Sequence, residues 1–184
     1  MRNVRYGMVL LSLISASLAC VLPGGPKLPA SPIPVSTEAA GEMQTTVQTA
    51  VAAASQSGTL ELTFTEEQIT SYVAVKLAEQ TDAPFSDPQI FLRDGKIQVF
   101  GRAHAGQVTA NASIILSASV DAEGQLSLKV DEADFGPIPV PDNILKNIST
   151  QLETALTDQT GSNFVLTDVV IADGTLQLTG TVKP

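Results

Sequence analysis

The stretch QVTANASIILSASVDAEGQLSLKV, residues 107–130, alternates apolar and polar side chains over most of its length. Val108, Ala110, Ala112, Ile114, Leu116, Ala118 and Val120 fall on one side; Thr109, Asn111, Ser113, Ser117 and Ser119 fall on the other, with Ile115 the exception. A period of two marks a strand with one buried and one wetted face. Glu123-Gly124 turns the chain into a partner strand with Leu126, Leu128 and Val130 inward. A strand of about 13 residues at ~3.3 Å each runs beyond ~40 Å, so this hairpin has to twist and bend strongly.

Two further hairpins flank it. DPQIFLRDGKIQVFGRA (87–103) turns at Asp94-Gly95 and NFVLTDVVIADGTLQLTGTV (163–182) at Asp173-Gly174, the strongest short turn signal available to a hairpin. A short strand, LELTF (60–64), precedes a helix in FTEEQITSYVAVKLAEQ (64–80). There Thr65 is the N-cap, Gln68 completes a capping box, and Phe64 with Ile69 is placed for a hydrophobic staple. Ile69, Tyr72, Val73 and Leu77 form its buried face, and Glu66 and Glu67 suit the positive end of the helix dipole. A second helix follows in GPIPVPDNILKNISTQLETAL (136–156), with Pro141 and Asp142 at its start and Ile144, Ile148, Leu152, Ala155 and Leu156 as its stripe. Met43, Val47, Ala50, Val51 and Ala54 recur at helical spacing within residues 36–57, which read as a weak helix or linker.

Ile90–Ala103 laid over Val169–Val182 aligns Asp94 with Asp173, Gly95 with Gly174, Gln98 with Gln177 and Gly101 with Gly180. The unit "helix, then Asp-Gly hairpin" reads as occurring twice around the long central hairpin, the other reading being that two hairpins share Asp-Gly and alternation by turn chemistry alone. The expected fold is α+β: one strongly curved, mainly antiparallel sheet of about six long strands wrapped around two helices. The domain spans 59–184. This order resembles the YpmS-like family of membrane-anchored bacterial envelope proteins and, more loosely, the tubular lipid-binding (TULIP) superfamily. The resemblance implies long curved strands packed around helices and an apolar ligand such as a lipid, and it carries no catalytic motif.

The first 19 residues read as a signal peptide: Arg2 and Arg5 lead, and Gly7–Leu18 form an apolar core too short to span a bilayer. Ser17-Leu18-Ala19-Cys20 resembles the lipobox of bacterial lipoproteins, although leucine is usual where Ser17 stands. That resemblance implies cleavage before Cys20 and a diacylglycerol on its sulfur, the nucleophilic group such chemistry requires. The other reading is an ordinary signal peptide cut nearby, with Cys20 incidental. YpmS-like proteins usually keep a transmembrane helix instead. Residues 20–35 hold five prolines and an adjacent glycine pair and read as an extended tether.

Without residues 1–19 the chain carries 8 basic and 19 acidic residues, a formal charge of −11. That charge repels nucleic acid and anionic headgroups, so no nucleic-acid partner is expected. One cysteine excludes an intramolecular disulfide, and one histidine leaves little for zinc. His104 in GRAHAG reads as a surface residue at a bend, because no nucleophile motif accompanies it. Asp131, Glu132 and Asp134, and DAEG at 121–124, lack the spacing of a calcium loop. Neither a catalytic residue, a cofactor nor a metal site is expected, and Cys20 is the one site residue. Ala110, Ala112 and Ala118 leave room either for an apolar groove or for close helix packing. The function expected is a lipid-anchored envelope protein on the extracytoplasmic face of a bacterial membrane, whose domain binds or shields an apolar ligand such as lipid. The alternative is a non-catalytic scaffold docking an envelope protein.

Overall fold

The computed structural model describes residues 25–81, 83–106, 108–137, 145–146, 149–150, 152–154 and 164–183. Its elements are α1 (Thr37–Ser57), β1 (Thr59–Thr65), α2 (Glu66–Ala78), β2 (Phe85–Arg93), β3 (Lys96–Ala105), β4 (Val108–Val120), β5 (Leu126–Asp134), β6 (Phe164–Ala172) and β7 (Thr175–Val182). Residues 145–146, 149–150 and 152–154 belong to a third helix. Cys20, Arg2, Arg5, Pro141 and most of the stripe assigned to that helix lie outside the described residues; Leu152 lies within them and is buried.

The class is α+β, but the strands form two antiparallel sheets where one was expected. Seven strands among the described residues divide into β1-β7-β6 and β2-β3-β4-β5. The separation has a cause at β2. Its outward backbone groups are consumed by neighbours that are not strands: Ile90 N–H donates to Thr70 Oγ1 at 3.0 Å, Leu92 N–H donates to the Glu66 carboxylate at 2.7 Å, and Leu92 C=O accepts from Gly174 N–H at 3.0 Å. At the other edge, Leu128 N–H of β5 donates to Glu153 at 2.8 Å and Gly124 C=O accepts from Leu166 N–H of β6 at 2.8 Å. A ladder cannot continue where its donors and acceptors are already taken.

The first strand pairs with the last, Thr59 opposite Thr181 through Thr65 opposite Thr175. β4 has the expected 13 residues, with Ala110, Ala112, Ile114 and Leu116 buried and Ile115 half-buried on the outer face. α2 has the full capping box, and Phe64 and Ile69 are both buried. α1 is a docked element: Ser36 caps its start, Gly58 in the left-handed region ends it, and Met43, Val47 and Ala54 join the same core as Leu60, Phe64 and Leu116.

Candidate functional site

Two surfaces position polar groups in an organised way. The first is the outer face of the four-stranded sheet. Residues 25–35 do not hang free of it. Ile33 N–H donates to Gln89 Oε1 at 2.6 Å, Gln89 Nε2 returns a bond to Ile33 C=O at 3.3 Å, and Asn111 Nδ2 donates to Pro26 C=O at 3.4 Å. Gln89 lies on β2 and Asn111 on β4, so the segment crosses the sheet before Ser36 N–H bonds Ser71 Oγ of α2 at 3.1 Å. Polar side chains that mimic a strand edge hold a segment whose prolines leave it few donors of its own.

The same face carries His104. Its Nε2 lies 2.8 Å from Ser86 Oγ and its Nδ1 3.1 Å from Thr109 Oγ1. The residue is half-buried with both ring nitrogens engaged, where the sequence suggested an exposed bend. Thr109 is its direct cross-strand partner, and Ser86 reaches it because β2 bulges between Ser86 and Gln89, with Asp87 at φ +52°. Pro88, which cannot donate to a ladder, was the sequence signal for that bulge. Asp87 faces Arg102 at 3.5 Å, and among the described residues the imidazole's hydrogen-bond partners are the two hydroxyls. A serine and a threonine hydroxyl satisfy the ring in either tautomer, which suits a structural cluster better than a catalytic one.

The second surface is a groove of about 580 Å³ between α1 and β1, lined by Glu42, Thr45, Thr46, Thr49, Ala50, Ala53, Glu61 and Gln68. A recess of about 190 Å³ adjoins it, where α1 and α2 begin together at Ser36 and Thr65, and Glu38 and Glu67 join Glu42 and Gln68 there. The lining offers carboxylates, hydroxyls and one amide, with no basic side chain.

The acidic residues singled out in the sequence serve structure. Asp131 sits at the bulge of β5, bonded to Lys96 Nζ at 2.6 Å and Ser117 Oγ at 3.1 Å. The Lys96 hydrogen bond, with help from Ser117, holds its carboxyl below the usual range against a smaller opposing effect of burial. Asp121 Oδ1 accepts from Glu123 N–H and Gln125 N–H, and Asp134 Oδ1 from Gly136 N–H, both closing turns. Among the described residues no group of histidine, cysteine and carboxylates could hold a metal ion, and no helix is long and apolar enough to cross a membrane. Comparison with protein-family models, with curated proteins and with solved structures finds no match for this chain.

Proposed function

We propose that this chain is a cell-envelope lipoprotein anchored through Cys20, and that its domain is a non-catalytic interaction module binding at its surface. The carrying observation is close packing among the described residues of the core. Ala110 and Ala112, whose small size left room for an apolar groove, are 2 % and 0 % exposed, and Phe64, Ile90, Leu92 and Leu116 are at 0 %. Side chains with no accessible surface adjoin no space large enough for a water molecule, still less an acyl chain. Ligands of such a domain meet it from outside, and the open, threonine-rich groove between α1 and β1 is one such surface among the described residues.

A second reading, the apolar ligand, is favoured by one feature. Phe91 and Phe100 stand edge to face at 5.9 Å on the outer sheet face, half-buried beside Gln89. Kinship with YpmS-like or TULIP-like domains belongs to this second reading. It is supported by two Asp-Gly hairpins that each follow a helix, and by the hydrogen bonds Leu166–Gly124 and Gly174–Leu92, which link the two sheets.

The readings separate in one preparation. A photoreactive residue at Thr49, in cells, should yield one dominant protein adduct, and lipid extraction of the released domain should return none in stoichiometric amount. A stoichiometric lipid, with Thr49 adducts at background, would sink the surface-module reading and leave the apolar-ligand one.

A further inference from the structure

Given a lipid on Cys20, the reading just proposed, we infer that the domain lies directly on the membrane with the Asn111–Gly136 end of the four-stranded sheet toward the bilayer. The argument is one of chain length and attachment. Were residues 20–35 a free tether, their contour would allow a stand-off of up to ~50 Å. They are fastened well before that. Gly25, at φ +117°, packs so closely that a Cβ there would stand 3.0 Å from the Asn111 carbonyl oxygen and 3.5 Å from Gly136 Cα. Pro26 is bonded to Asn111 and Ile33 to Gln89. Only five residue steps then separate Cys20 from the first fixed point, a reach of at most ~18 Å.

The segment is built to lie down. Pro23, Pro26, Pro29 and Pro32 recur every third residue, the period of a polyproline helix, which puts them on one side. Pro26, Pro29 and Ile33 are half-buried, while Lys27, Leu28, Ala30, Ser31 and Pro32 are exposed, so the first two described prolines of the series face the sheet. Fixed φ angles lower the entropy lost on docking. Charge does not set the orientation: exposed Lys27 and Arg102 stand at this end, but so do exposed Asp87, which pairs with Arg102, and Asp134, which bonds Gly136. In a chain this acidic, the short link rather than charge sets the orientation.

The opposite pole is the β4–β5 turn. Nine residues of β4 separate Asn111 from Val120, ~30 Å at strand rise. Because Cys20 is the only cysteine and its sulfur would carry the lipid, a cysteine placed at Arg102 or at exposed Glu123 is the sole reactive thiol. Lipidated full-length Arg102→Cys and Glu123→Cys proteins, each carrying a donor dye, would be reconstituted in phosphatidylcholine vesicles bearing acceptor-labelled headgroups. Energy transfer from position 102 should exceed that from 123 several-fold. A Gly/Ser insert of ~15 residues after Val21 should remove the contrast. Equal transfer from both positions, or a contrast untouched by the insert, would overturn the inference. Intact mass keeps the two failures apart, since a free Cys20 thiol defeats the anchor, whereas a diacylated Cys20 with equal transfer defeats only the orientation.

Discussion

Glu66 stands where three elements meet. It opens α2, its N–H donates to Gly174 C=O at 3.3 Å, and its carboxylate accepts from Leu92 N–H while holding the Arg93 guanidinium through both oxygens. The helix-dipole reading of this glutamate was sound and incomplete, because its tertiary partners lie 26 and 27 residues away. Glu66→Ala leaves Leu92 N–H without its acceptor and should cost about 1–3 kcal/mol in denaturant unfolding. Arg93→Ala, at a 40 % exposed side chain, should cost under ~1 kcal/mol. The Asp131 carboxyl, held low in the folded state chiefly by Lys96, contributes stability above its unfolded pKa and loses it as pH falls through the lower folded value. Asp131→Asn should therefore lower stability modestly near neutrality, flatten the acid limb of stability against pH below about 4, and bring mutant and wild type together at low pH.

At the scale of elements, helices here serve as edge covers. α2 presents Thr70, fully buried, whose hydroxyl accepts from Ile90 N–H at 3.0 Å and donates to Ile90 C=O at 3.4 Å, so that one side chain replaces a missing strand. Thr70→Val keeps the shape and removes both bonds; an unfolding loss of about 1–3 kcal/mol is expected, with faster amide exchange at Ile90 than in wild type. α1 owes its place to packing. Gly41 lies inside that helix, and a Cβ there would meet nothing within 4 Å, so Gly41→Ala should raise stability by ~0.5–1 kcal/mol, whereas Met43→Ala, at 1 % exposure, should lower it by about 2–4 kcal/mol. Thermal melts of the two variants should move in opposite directions. The capping box of α2 and the apolar stripe of α1 were legible as spacing; the docking of α1 was not, because a stripe says that a face is buried and not against what.

Across the whole molecule the two Asp-Gly hairpins share more than a turn. Gly101 lies opposite the bulge of β2, where a Cβ would stand 2.5 Å from the Phe85 ring and 2.7 Å from Ser86 O, and Gly180 lies at the bulge of β6, where a Cβ would stand 2.8 Å from Val165 O. The aligned glycines thus do the same work in both sheets. Gly101→Ala and Gly180→Ala should each destabilise the fold by more than ~1 kcal/mol in denaturant unfolding, and a null effect at either position would break the structural equivalence. The turns themselves differ, since Asp94 and Gly95 both have positive φ while only Gly174 does in the second hairpin. Which residues form strands, which faces turn inward, where α2 is capped and where the hairpins turn were legible in the sequence, because those outcomes depend on neighbours within a few residues. Contacts between residues far apart in the chain decided that β1 pairs with β7, that Thr70, Glu66 and Glu153 seal strand edges, that the proline segment lies on the sheet, and that Ala110 and Ala112 are buried while Ala118 is half-buried. Periodicity specifies a face, and only contacts between residues far apart in the chain choose what that face meets.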